Sequence, residues 1–208
     1  MQPDGIGLCT IERENMCGRY LFYDDKNETL KRLIEAARKK LPADRFAQVS
    51  LYEVFPGQSA FAGIYDPQRG FRTEVMQWGY RSASGRGVIN ARSETALSAS
   101  FFAGSSRCAV PASGYYEWSA SPHRKYYFTT KNPPLYLAGL WKSDNGSSRF
   151  VILTQEAAGE QRRIHTRMPL VLDAATAHDW CRGATLASIL PFSSPQLLIR
   201  EAQNKEPL

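Results

Sequence analysis

The 208-residue chain holds four cysteines, Cys9, Cys17, Cys108 and Cys181, and none belongs to a C-x-x-C pair or a regular framework. That sparseness argues against a disulfide-stapled secreted scaffold and for reduced thiols in a cytoplasmic setting. The three histidines, His123, His165 and His178, lie too far apart for zinc-ligand spacing, so no metal is expected. No stretch approaches the roughly 18 apolar residues of a membrane span, so no membrane partner is expected. There is no block of about five like charges, no internal repeat and no low-complexity tract, which excludes a charged disordered tail and a solenoid. Residues 1–15 include Asp4, Glu12, Arg13 and Glu14 and lack an apolar run, so they are not a signal peptide. They read as a leader, a mis-assigned start or an expression remnant.

What remains is ordinary globular material, 43% hydrophobic and 22% charged, with length for a single domain over residues 16–208. The formal net charge of +6 favours a polyanion partner. In Asp25–Leu41 the residues Leu30, Leu33, Ile34, Ala37 and Leu41 recur at helical spacing, and Pro42 follows. A second helix is expected from an Asp173 cap through Trp180, and a shorter one near Leu186–Leu190. Most of the rest reads as short strands: Ala60–Tyr65, Thr73–Trp78, Cys108–Pro111, Lys125–Thr129, Leu135–Trp141 and Phe150–Thr154. Antiparallel strands with few helices indicate an α+β domain.

Cys17 follows Met16 and opens the string Met16-Cys17-Gly18-Arg19-Tyr20. If the chain began at Cys17, that residue would carry a free amine and a free thiol on adjacent carbons. An α-amine has a pKa of about 8 against about 10.4 for lysine, so a usable fraction is nucleophilic at pH 7. Such an amine condenses with an aldehyde to an imine, and the thiol closes on the same carbon as a thiazolidine. The alternative is a buried structural cysteine. Three more strings carry polar chemistry: Ile89-Asn90-Ala91-Arg92-Ser93-Glu94-Thr95, Pro111-Ala112-Ser113-Gly114-Tyr115-Tyr116-Glu117-Trp118 and Ile164-His165-Thr166-Arg167-Met168-Pro169. Taken singly, Asn90 is a turn residue, Ser113-Gly114 a turn, Glu117 an arginine's partner and His165 a surface imidazole. Taken together they supply an amide, a carboxylate, an imidazole and several guanidiniums.

On these strings, with Ala138-Gly139-Leu140-Trp141 and Ile152-Leu153-Thr154 in the same order, the chain resembles the SOS response-associated peptidase (SRAP) family of abasic-site processing proteins over about residues 16–180. The resemblance implies a mostly antiparallel, barrel-like fold with a few helices and a positive cleft for single-stranded DNA containing abasic sites. It implies a thiazolidine crosslink between Cys17 and the ring-opened aldehyde of the lesion. It makes Asn90, Glu117 and His165 active-site residues and puts Arg19, Arg92 and Arg167 on DNA phosphates. No cofactor is implied, and the expected form is a monomer, associated with the nucleoid once crosslinked. An alternative is a cysteine peptidase that removes its own leader, with Cys17 as thiolate and His165 as base. An abasic-site lyase activity through the imine, or a plain nucleic-acid-binding role, are further options.

The chain departs from the family pattern in four places. The segment Arg81–Val88 has no aromatic and offers Arg81 and Arg86 instead, so charge is expected to replace base stacking. Glu53 stands where an asparagine is usual, and an acid facing phosphate would cost affinity. Ser113 replaces a common aspartate. The tail after Trp180 matches poorly.

Overall fold

The computed structural model describes residues 17–202 except 86, 145, 194 and 195, and except the side chains of Asp144 and Phe192. The leader expected over residues 1–15 lies outside the described residues, and so does Arg86. In chain order the strands are β1 Tyr20–Leu21, β2 Glu53–Val54, β3 Ser59–Asp66, β4 Gly70–Trp78, β5 Tyr80–Arg81, β6 Gly87–Val88, β7 Asn90–Arg92 and β8 Ser106–Ala112. They continue as β9 Gly114–Trp118, β10 Lys125–Thr130, β11 Leu135–Asp144, β12 Ser147–Glu156, β13 Arg167–Pro169, β14 Val171–Leu172 and β15 Leu197–Glu201. The helices are α1 Glu28–Lys40, α2 Ala43–Ala47, α3 Ser93–Ala96, α4 Ala174–Arg182 and α5 Leu186–Ile189.

Strand β12 pairs with β4 on one side and β11 on the other, and the pairs β4–β3, β3–β8 and β8–β11 complete the circuit. Five strands therefore close on themselves, which removes their free edges. The pairings in this ring are antiparallel except β12 with β4. A second sheet in the order β15-β10-β9-β1-β2 carries the segment that begins at Cys17. The run Phe150–Leu153 is apolar without alternation because β12 is buried on both faces. Phe150 and Ile152 enter one core with Cys17, Tyr20 and Tyr115, whereas Val151 and Leu153 enter another under Trp180 of α4.

The six expected strands all form, each longer by one to several residues. The first helix spans Glu28–Lys40 and so begins later than the expected start at Asp25. Asp25 has φ +62°, outside the helical range, and the Asn27 side chain caps the helix by accepting the Leu30 N–H at 3.0 Å. Asp173 caps α4 as expected, accepting from Thr176 N–H at 2.8 Å, and Thr185 caps α5. Ser113 is a single-residue bend between two strands. It is fully buried, its N–H donates to the Leu21 and Phe22 carbonyls at 2.8 and 3.0 Å, and its hydroxyl donates to the Phe22 carbonyl at 3.1 Å. Its hydrogen bonds tie β8 and β9 to the end of β1.

Candidate active site

Alternation along β9 puts Tyr115 and Glu117 on the inner face of the second sheet and Tyr116 and Trp118 on the outer one, matching their burial. Strand β1 pairs with β9 so that Tyr20 faces Tyr115, and the segment just before β1 crosses the inner face beside Glu117. There the Cys17 N–H donates to Glu117 Oε1 at 2.6 Å, a short contact linking residues 100 apart in sequence. Cys17 is completely buried and Glu117 is 2% exposed. Glu117 Oε2 is buried and meets no hydrogen-bond partner among the described residues.

Burial pushes the Glu117 carboxyl up to about 8, against a partial downward pull from the backbone N–H groups of Cys17 and Trp118. The site thus holds a carboxyl that exchanges its proton near neutrality. Burial also pushes the Cys17 thiol well above its ordinary range, and the neighbouring Glu117 carboxylate adds to that shift. A thiolate is disfavoured there, whereas a neutral thiol is not. Cys17 also has φ +22°, a conformation that L residues with a side chain rarely adopt.

Asn90 opens β7, which runs parallel to β12 with Asn90 opposite Ile152. Its Nδ2 donates to the Cys17 carbonyl at 3.5 Å, so Cys17, Asn90 and Glu117 converge from three separate strings. His165 lies just before β13. Its Nδ1 is engaged by its own neighbour, 3.1 Å from both the N–H and the carbonyl of Arg167. No hydrogen bond or ion pair among the described residues joins His165 to Cys17 or Glu117.

The arginines separate into distinct settings. Thr154 of β12 lies opposite Arg92 on one side and Pro169 on the other, while Glu156 lies opposite Arg167. A cleft of about 240 Å³ at this end of β12 is lined by Arg92, Glu156, Ala157, Arg162, Thr166 and Arg167. Arg167 is held by a two-pronged ion pair to Glu94, at 2.7 and 2.9 Å, and by the Thr154 carbonyl at 2.8 Å. That hydrogen bonding keeps the Glu94 carboxyl below its ordinary range. Arg81 is exposed on the β5–β6 hairpin that leads into β7.

Arg19 forms a 3.2 Å ion pair with Glu53 and lies over the rings of Phe55 and Trp118. Sequence reasoning passed over Arg162 and Lys125. Each is one basic residue among 26, and only the pairing of distant strands reveals its setting. Among the described residues no group of three or more His, Cys, Asp or Glu side chains is gathered as a metal site, and no helix is long and apolar enough to cross a membrane.

A family model described as SOS response associated peptidase (SRAP) matches residues 16–199, farther than the motifs alone reach and into β15. The abasic site processing protein YedK of Escherichia coli K12 is 26% identical over 179 residues, spanning 80% of each chain. The abasic site processing protein YobE of Bacillus subtilis is 27% identical over 183 residues, 79% of this chain and 81% of its own. The abasic site processing protein HMCES of Gallus gallus is 30% identical over 147 residues, 55% of this chain and 43% of its own. A crystal structure of a Bordetella bronchiseptica protein superposes with a TM-score of 0.66 at 21% identity, covering 90% of this chain and 100% of that one. A phage-related protein from the same organism gives 0.65 at 23% identity, over 90% and 95%. These two likenesses establish the fold, and the family match takes in residues 16–199 of the 208. The chain belongs to the SOS response associated peptidase (SRAP) family.

Proposed function

We propose that the chain, once residues 1–16 are removed, crosslinks through Cys17 to the ring-opened aldehyde of abasic sites in single-stranded DNA. The observation that carries this reading is the 2.6 Å contact between the Cys17 nitrogen and Glu117. In the trimmed protein that nitrogen is the α-amine, and Glu117 accepts a proton from its ammonium form. The free amine attacks the aldehyde carbon, giving a carbinolamine. Glu117 then returns the proton to the hydroxyl, which leaves as water, and a protonated imine remains, whose N–H proton passes back to the Glu117 carboxylate. The neutral Cys17 thiol adds across the C=N bond, sulfur to carbon and hydrogen to nitrogen, closing the thiazolidine. Beside the Cys17 ammonium of the trimmed protein the carboxyl is drawn down from its intact-chain position near 8, which lets it take the first proton and return it, and a thiol held above its ordinary pKa suits the last step. Asn90 steadies the Cys17 carbonyl, and His165, with Nδ1 occupied, exchanges protons with the sugar through Nε2 during ring opening. Arg92 and Arg162 hold phosphates in the cleft they share with Glu156, without reading sequence, and Arg167 joins them where a phosphate replaces Glu94 as its partner. The names of the relatives, abasic site processing proteins, support the same substrate.

The test is a denaturing gel of the trimmed protein with a single-stranded oligonucleotide bearing one abasic site. A slow band that survives boiling is expected, absent for Cys17→Ser. That variant keeps the amine, so imine formation and strand scission by β-elimination should persist. An undiminished stable band from Cys17→Ser overturns the thiazolidine mechanism.

The same contact supports a second activity, removal of the leader. The Cys17 nitrogen is the leaving group when the Met16–Cys17 bond is hydrolysed, and a protonated Glu117 is within reach to protonate it. The strained φ of Cys17 favours the same cleavage. The elevated thiol pKa argues against a thiolate–imidazolium pair as the nucleophile. Mass spectrometry of intact protein should register loss of residues 1–16 on incubation for wild type and not for Glu117→Ala.

A further inference from the structure

Glu53, the acid that replaces an asparagine in the family pattern, lies on the outer face of the second sheet, where two cations converge on it. Arg19 reaches Oε2 at 3.2 Å and Lys125 reaches Oε1 at 3.4 Å. Neither cation extends freely into water. The Lys125 side chain is 9% exposed and lies over the Tyr116 ring at 3.9 Å, and Arg19 lies between Phe55 and Trp118 at 4.4 and 5.1 Å. The register explains the gathering: Lys125 faces Trp118 across β10 and β9, Tyr116 N–H donates to the Arg19 carbonyl, and Glu53 faces Leu21 across β2 and β1. Tyr116 and Trp118 flank Glu117 in sequence but point to the other face of β9, so the cluster and the Cys17–Glu117 site share one strand and occupy its two faces.

Two fixed cations around one pair of carboxylate oxygens, bordered by aromatic faces, have the composition of a single-strand phosphate site with stacking surfaces. We propose that Arg19 and Lys125 form a phosphodiester-binding pair and that Glu53 is the intramolecular anion a DNA phosphate displaces from it. This rests on the single-stranded DNA reading above and assigns Lys125 as a DNA ligand. Glu53 then sets affinity: a strand binds only when its phosphate competes with a carboxylate already in place, which favours a strand anchored at the lesion over undamaged DNA.

The test uses the trimmed protein and an undamaged fluorescent oligonucleotide, with anisotropy measured across a salt series. Glu53→Gln keeps the shape and removes the competing charge. It should tighten binding by roughly three- to tenfold and steepen the slope of log K against log salt by about 0.7 for each phosphate newly engaged. Adding Lys125→Gln to Glu53→Gln should cancel most of that gain, while Lys125→Gln alone should weaken binding. Unchanged affinity and slope in Glu53→Gln overturn the proposal, and so does a double variant that keeps the whole gain. Unaltered thermal melting of each variant ties the change to the site. Failure here is separable from failure of the crosslinking reading. A wild-type protein that binds the undamaged strand but forms no boiling-resistant adduct overturns that reading alone. Normal adduct formation with a silent Glu53→Gln overturns this one alone.

Discussion

At the scale of single residues, the governing feature is a carboxyl forced into a dry site next to a backbone nitrogen. Glu117 keeps its proton up to about pH 8 in the intact chain because burial penalises the carboxylate more than the N–H contacts favour it. In the unfolded chain the same group titrates near the ordinary glutamate value, about 4.3. A folded pKa raised in this way contributes stability that is fully present below the unfolded pKa and is lost as pH rises through the folded one. The intact protein should therefore lose stability between about pH 4.5 and pH 8, by an amount on the order of a few kcal/mol. Glu117→Gln, which cannot ionise, should flatten that fall when urea denaturation is compared at pH 5 and pH 8.5. An equally steep fall in the variant would assign the effect to another group. Removing the leader should shrink the effect as well, since a Cys17 ammonium beside Glu117 pulls its carboxyl back down.

At the scale of elements, the pairing of β9 with β10 sets what the motif around Glu117 tolerates. Gly114 begins β9 where a Cβ would run into the Phe128 carbonyl and the Tyr127 ring of β10. The glycine of the string Pro111–Trp118 is thus a packing requirement of the strand that carries Glu117. Gly114→Ala should cost about 3 kcal/mol, an overpacking effect, and lower the melting temperature by roughly 6–12 °C. A melting temperature within a degree of wild type would refute this account. The elements themselves were legible in sequence wherever local chemistry decides them. Asp173 announces the start of α4, the apolar run at Phe150–Leu153 announces a strand buried on both faces, and the periodicity of Leu30 to Leu41 announces α1. The two-residue strands β1, β2 and β14 were not legible, because two residues carry no period. They exist only because neighbours such as Val54 and Tyr115 offer them backbone partners.

At the scale of the whole molecule, topology brings Cys17, Asn90 and Glu117 from three distant strings to one place. The site was legible as letters, since Cys17, Asn90 and Glu117 stand in strings whose chemistry declares itself. Its electrostatics were not legible. That Arg167 is committed to Glu94 and Arg19 to Glu53 follows from strands far apart in sequence, and no spacing encodes it. Residues 1–16 carry three acids and one arginine, so their removal, as proposed, would take the formal charge from +6 to +8 and convert the Cys17 amide into an amine. Both changes act in one direction: the first favours the approach of a polyanion and the second supplies the nucleophile. The intact protein should therefore form no boiling-resistant adduct with abasic single-stranded DNA, because an amide nitrogen cannot condense with an aldehyde. It should also bind an undamaged strand more weakly than the trimmed form. For the trimmed form the adduct rate at subsaturating DNA should fall with salt, as log rate against log salt, with a slope of about −2 if three phosphates are neutralised. At saturating DNA the rate should be nearly independent of salt, since proton transfer at Glu117 is buried from the ionic atmosphere. Adduct formation by intact protein, with its N-terminus verified by mass, would remove the α-amine from the mechanism. A salt dependence that persists at saturation would place the charged contacts in the chemical step itself.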